Sequence, residues 1–410
     1  MDSYSPSLQQ AISSEAKPIQ WRIVILAFLA ILLDGFDTTS ISFVVPTLAR
    51  EWGMPPAAFT PAFVATSLGA VIGYMVSGQL THRLGSRWVI LCSVLFFAVG
   101  SMMTGFAGSL SILAILRFIT GIGLGAVLPA AVALAAKQCP AHRREMIAVA
   151  VAAGIGLGST LGGVFGGRLI AHHGWQSVFW LGGMLPVLLF PFLWWGLPSN
   201  KHEKTGESAL RSDAAISSLF KGVLAYSTTL LWSFSFMIFV AVYALYFWLP
   251  TLLLNFGFNP TETSIGTACL GAGGLVGAIF LMPLSALFGA SRVLVFASLL
   301  GAISIACVTF LDLNRLQLLL TIAAIGVGLL AGAIGQSALA VTLYPEAARA
   351  TGVGYSAAVG RIGSILGPAM GGILLSLDRP AKEIILTACI PVLIAALAVG
   401  VLDFYLRRQY

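Results

Sequence analysis

Four ionisable side chains sit deep inside long apolar stretches of this sequence: Asp34, Asp37, Arg117 and Arg361. Charges embedded in apolar helices are costly and commonly mark a path for a proton, an ion or a charged substrate. A carboxylate can take up and release a proton, while a guanidinium can grip a carboxylate through two parallel hydrogen bonds. Asp34 and Asp37 are three residues apart, which puts them on one face of a helix, where they can titrate as a coupled unit and carry protons. At about 1.5 Å of rise per residue, Asp34 lies roughly 20 Å from the start of its helix and Arg117 roughly 14 Å from the opposite start of its own. The two therefore reach similar depths, which leaves open a permanent Asp34–Arg117 ion pair locking two helices together.

Arg361 lies roughly 16 Å into its helix, with no acidic residue of its own half of the chain at that depth. A carboxylate ligand suits it, and so would backbone carbonyls or Asp37 from across a cavity. Trp232, Phe236, Phe239 and Tyr243 follow at helical spacing along another segment, a stripe that can stack a planar ring or simply pack. Trp232, Phe236 and Tyr243 join Arg117, Arg361 and the lone amide of Gln336 as candidate binding residues. Trp248, near the end of its segment, is assigned to an interfacial aromatic belt.

These side chains need elements that span a membrane. Of the 410 residues, 58% are hydrophobic and 9% charged, against about 25% charged in soluble domains. Runs of the roughly 20 apolar residues a spanning helix needs recur near 21–48, 58–80, 87–106, 108–136, 145–170, 174–196, 223–252, 262–287, 291–311, 315–343, 350–376 and 381–406. The reading is an all-α membrane protein of twelve helices. It comprises a tail at 1–20, a six-helix half at 21–196, a linker at 197–222 and a second six-helix half at 223–410. The tail has no basic start followed by an apolar core, so no removable signal is expected in it. Lys and Arg concentrate in one set of loops, among them Arg83, Arg87, Lys137, Arg144, Arg292 and Arg349, which predicts both termini on the cytoplasmic side. The net charge of +7 then needs only anionic lipid as its partner, not nucleic acid.

The two halves repeat. A shift of 205 residues lays Pro140 on Pro345, Arg144 on Arg349, Gly158 on Gly363, Ser159 on Ser364, Gly162 on Gly367 and Gly166-Gly167 on Gly371-Gly372. Transporters built from repeated halves hold their substrate between them near the midplane. The glycines are read as close helix packing. Arg361 has Gly156 as its counterpart, so its charge is no part of the shared scaffold. The five cysteines are scattered and the five histidines lie outside the spans, so neither a disulfide framework, a metal site nor a cofactor is expected. No phosphate loop or nucleophile with a base appears, which argues against an enzyme or an ATP-driven pump.

Gly78-Gln-Leu-Thr-His-Arg-Leu-Gly85-Ser-Arg87 resembles the loop signature between the second and third helices of the major facilitator superfamily, and Arg117-Phe-Ile-Thr-Gly121-Ile-Gly123 its fourth-helix signature. Asp34-Gly-Phe-Asp37, Trp248-Leu-Pro-Thr251, Arg349-Ala-Thr-Gly-Val-Gly354 and Gly360-Arg361-Ile-Gly-Ser resemble its aromatic acid:proton symporter family. The resemblance implies the major facilitator fold in the bacterial inner membrane. It also implies uptake of a benzoate-type carboxylate with protons, through a monomer, and gating by Gly78, Arg83, Gly85 and Arg87. A non-aromatic anion such as a dicarboxylate or sugar acid is the alternative substrate. Two departures bear on mechanism. His82 stands where the loop usually has an acid, and Gly162-Gly163 replaces the Gly-Pro pair of many antiporters, which favours symport.

Overall fold

A computed structural model describes residues 18–198 and 219–409; the expected tail and linker lie mostly outside them. Among the described residues there is no strand, and twelve helices are long and apolar enough to cross a membrane. They are α1 (Trp21–Glu51), α2 (Thr60–Leu84), α3 (Ser86–Thr104), α4 (Leu110–Lys137), α5 (Arg144–Ala152 and Gly154–His173), α6 (Gln176–Gly196), α7 (Gly222–Leu253), α8 (Ser264–Phe288), α9 (Ala290–Phe310), α10 (Arg315–Leu343), α11 (Glu346–Ser376) and α12 (Ala381–Thr387 and Cys389–Gln409). Large apolar side chains such as Phe96, Ile279, Phe280, Phe310 and Leu397 point outward, as a bilayer-facing surface requires. Successive helices alternate in direction, so the Arg and Lys-rich loops share one side, called here the basic side.

Tight turns keep neighbouring spans antiparallel. Gly85 turns α2 into α3 with φ of 85°, and Gly289 turns α8 into α9 with φ of 87°, a region that favours glycine. At the opposite side, Asn314 caps α10 and exchanges bonds with Gln317 in a capping box.

The sequence repeat is a repeat of contacts. A Cβ on Gly158 of α5 would lie 1.9 Å from the Leu32 carbonyl oxygen on α1, and one on its counterpart Gly363 of α11 would lie 2.4 Å from the Phe236 carbonyl oxygen on α7. Within each half, then, the fifth helix is pressed onto the first where only glycine fits. The next pair reaches across the halves. A Cβ on Gly167 would lie 2.0 Å from the Thr261 carbonyl oxygen just before α8, and one on Gly372 would lie 2.0 Å from the Thr60 hydroxyl at the start of α2.

Those crossing contacts lie on the side away from the basic loops. Phe63 of α2 stacks on Phe247 of α7 there, with ring centres 4.8 Å apart, and Trp248 meets Phe63 edge-on at 4.8 Å. Apolar packing divides accordingly. One cluster joins the second half to the far ends of the first, through residues such as Val45, Phe59, Phe63 and Phe247. A second, including Ile31, Val94, Val127, Leu134 and Leu193, belongs wholly to the first half toward the basic side. The halves are joined on the far side and parted on the basic side. Trp248 is thus not a belt residue: it is 1% exposed, and its indole donates to the Pro368 carbonyl at 2.8 Å.

Candidate functional site

The parting of the halves leaves a central cavity of about 480 Å³. It runs from the middle of the bundle, at Thr38, Tyr74, Tyr243 and Arg361, to the basic-side ends of α4, α5 and α10, at Ala136, Arg144 and Val341. Its walls are mostly apolar. This is a volume suited to a small molecule, with few polar groups to orient it.

The four buried charges divide into two kinds. Asp37 and Arg117 form a closed pair: both side chains are 0% exposed, and Arg117 Nη2 donates to Asp37 Oδ2 at 3.0 Å. Ser101 of α3 donates to the other carboxylate oxygen. The guanidinium lies 5.6 Å from the centre of the Phe179 ring on α6. This pair ties α1, α3, α4 and α6 together inside the first half and does not line the cavity.

Asp34 and Arg361 are the open charges in that neither makes an ion pair among the described residues; Arg361 lines the cavity and Asp34 does not. Asp34 is 6% exposed and accepts a 3.0 Å hydrogen bond from Thr38, which itself lines the cavity. No cation lies within ion-pair distance of it among the described residues. Arg361 projects from α11 into the cavity. Its guanidinium carbon lies 5.1 Å from the Tyr74 ring centre and 5.7 Å from that of Phe239, and Nη1 donates to the Tyr243 hydroxyl at 3.0 Å. Its guanidinium makes no other hydrogen bond among the described residues, and the residue lines the cavity. Stacking rings hold the cation in place without neutralising it.

The structure therefore separates residues that spacing had grouped. The ion pair to Arg117 is made by Asp37, not Asp34. Arg117 does not line the cavity, because Asp37 is its nearest carboxylate and both are sealed inside the first half. Among the described residues, neither a carboxylate nor a backbone carbonyl occupies Arg361. From the aromatic stripe, Phe239 and Tyr243 reach the cavity, whereas Trp232 and Phe236 do not. Trp232 stacks on Tyr355 of α11 with ring centres 6.2 Å apart, and the close approach at Gly363 covers α7 beside Phe236. Gln336 lines the cavity with its amide engaged at both ends, accepting from Ser235 at 2.6 Å and donating to Ser337 at 3.2 Å.

Sequence reasoning missed Tyr74 and Thr38. Tyr74 belongs to the first half yet sits against Arg361 of the second, a meeting no spacing along the chain reveals. Thr38 had a signal, since it stands four residues after Asp34 on the same helical face. The loop residues lie on the open side. Gly85 makes the turn, Gly78 has free space around it, Arg83 is exposed, and Arg87 donates to the Trp194 carbonyl at the end of α6 at 2.5 Å. The second half has a matching arrangement built differently. Ser291 and Arg292, at the start of α9, meet Asp403 of α12, an acid that a search of the α8–α9 turn alone does not find.

Comparison with known proteins bears on this geometry. The family profile described as Major Facilitator Superfamily matches residues 27–259 and 231–409. The chain is 33% identical to a gallate transporter of Pseudomonas putida, over 93% of this chain and 91% of that one. It is 31% identical to the 4-hydroxybenzoate transporter PcaK of Pseudomonas aeruginosa, over 93% and 92%. Its fold matches an inward-facing, occupied structure of a bacterial homologue of the human lysosomal transporter Spinster, with a TM-score of 0.74, 18% identity and coverage of 95% and 97%.

Proposed function

Because the chain belongs to the major facilitator superfamily, a family of multi-pass membrane transporters, we propose that it carries small aromatic carboxylates inward together with protons, by alternating access. The observation that carries this reading is Arg361, a cation held between aromatic rings in a cavity whose walls are mostly apolar, with no carboxylate among the described residues within ion-pair distance. Such a group fits a ligand with one carboxylate and one flat apolar face. A dicarboxylate or sugar acid would bring further polar groups that the apolar walls do not match. The relatives' names, gallate and 4-hydroxybenzoate transporter, point to the same class.

In this reading the proton resides on Asp34 and reaches it past Thr38, while Asp37 and Arg117 position α1. The basic side is cytoplasmic, both termini lie there, and the state described is open to the cytoplasm. The halves at 21–196 and 223–410 rock as units about the central cavity, within one monomer in the inner membrane. Gly78, Arg83, Gly85 and Arg87 shape the turn that closes on the cytoplasmic side when the cavity faces outward. For coupling, proton and substrate must together favour a different balance of the two facing states than either does alone.

Calorimetric binding of benzoate or 4-hydroxybenzoate to purified protein tests the central contact. Arg361→Lys keeps the charge but loses the planar fork, so weaker binding is expected. Arg361→Ala should lose about tenfold to a hundredfold in affinity, the scale of a charge-assisted hydrogen bond. Undiminished affinity in Arg361→Ala would remove the contact from the mechanism.

A further inference from the structure

Tyr74 is a ring of the first half set against a cation of the second. Its centre lies 5.1 Å from the Arg361 guanidinium carbon, nearer than the 5.7 Å of Phe239. Phe239 and Tyr243 belong to α7, in the same half as Arg361, and travel with it whichever way the halves tilt. Tyr74 belongs to α2. Of the two rings stacked near the guanidinium, it is the one carried by the half that moves against Arg361.

The depth of this contact matters. Arg361 is the central residue of α11 (Glu346–Ser376), and Tyr74 lies just past the middle of α2 (Thr60–Leu84). The same two helices meet on the far side, where a Cβ on Gly372 would lie 2.0 Å from the Thr60 hydroxyl, while toward the basic side the halves part around the cavity. Ring and cation therefore meet between the joined end and the parted end. At that level a rocking of the halves displaces them least.

A carrier that imports an anion with protons crosses twice per cycle, once loaded and once unloaded. In the loaded crossing the ligand's carboxylate neutralises Arg361; in the return nothing from the ligand does. Moving a guanidinium without a counter-charge through a closed, mostly apolar site is costly. Asp34 makes no ion pair with it among the described residues, and the electron-rich face of Tyr74 is what the first half sets against the cation. Resting on the transport reading above, we infer that Tyr74 serves the return of the unloaded carrier, covering the Arg361 cation while the halves re-close with no anion between them. The ring contributes less to the loaded crossing, because a guanidinium already paired with a carboxylate is drawn less strongly to it.

Proteoliposomes loaded with radiolabelled benzoate, at equal pH on both sides, separate the two crossings. Efflux into substrate-free buffer needs the unloaded return at every turnover, whereas exchange against unlabelled external benzoate uses loaded crossings only. The ratio of net efflux to exchange should fall about tenfold in the ringless variants Tyr74→Leu and Tyr74→Met, the rate equivalent of a desolvated cation–π contact. Tyr74→Phe keeps the ring face and should hold the ratio within about twofold of wild type. Exchange reports folded carrier, and taking the ratio within each variant cancels differences in the amount of protein. An unchanged ratio in the ringless variants, an equal fall in Tyr74→Phe, or loss of exchange along with net efflux in both ringless variants overturns the inference while leaving aromatic-acid transport intact. A wild type that moves benzoate in neither mode overturns the transport reading and the inference with it.

Discussion

Asp34 and Asp37 differ by three positions and by almost everything else. Three residues turn a helix by about 300°, so their side chains diverge by about 60°, enough for one to meet Arg117 and Ser101 inside the first half and for the other to sit behind Thr38 at the cavity. The sequence marks both as buried acids. It does not tell which one finds a partner, because the partners come from α3 and α4. The consequence is a split in phenotype. Asp37→Asn or Arg117→Met leaves one charge buried without its counter-ion, which costs about 3–5 kcal/mol. Each should lower the unfolding temperature in detergent, and combining them should recover part of the loss. Asp34→Asn should leave that temperature within a degree or two. Equal destabilisation by Asp34→Asn and Asp37→Asn would contradict the division of these acids into open and closed.

At the scale of elements, all twelve helices were legible, because a bilayer demands long apolar runs and satisfied backbones. The glycine pattern of α5 and α11 was legible too. Gly158 and Gly363 pack as counterparts, and Gly167 and Gly372 bridge the halves in counterpart positions. What stayed hidden was which side is closed. Trp248 looked like a belt residue because it stands near a helix end; only the pairing of α7 with α2 buries it against Phe63. That contact yields a prediction about motion. With the five native cysteines replaced, Phe63→Cys with Phe247→Cys should be bridged by a short thiol-reactive crosslinker. The bridged protein should stop transporting yet still bind substrate from the basic side. Continued uptake by quantitatively crosslinked protein would mean that the α2–α7 contact does not open during transport.

For the whole molecule, the cavity joins two machines that the sequence lists separately, a carboxylate in the first half and a guanidinium in the second. Arg361 is conspicuous in the sequence because its repeat counterpart is Gly156. Its aromatic setting is not, since Tyr74 comes from the other half. Asp34 and Arg361 form no ion pair among the described residues, so in the proposed cycle one takes the proton and the other the anion. Binding both keeps the charge of the cavity unchanged through the crossing. Removing the proton site should break accumulation while sparing exchange of bound anion across the membrane. The most direct measurement is uptake of radiolabelled 4-hydroxybenzoate into proteoliposomes, with and without an inward proton gradient, by wild type and Asp34→Asn. The account predicts accumulation above equilibrium only for wild type with the gradient, and gradient-independent exchange in Asp34→Asn. Accumulation by Asp34→Asn equal to that of wild type, or wild-type uptake indifferent to the gradient, would contradict it.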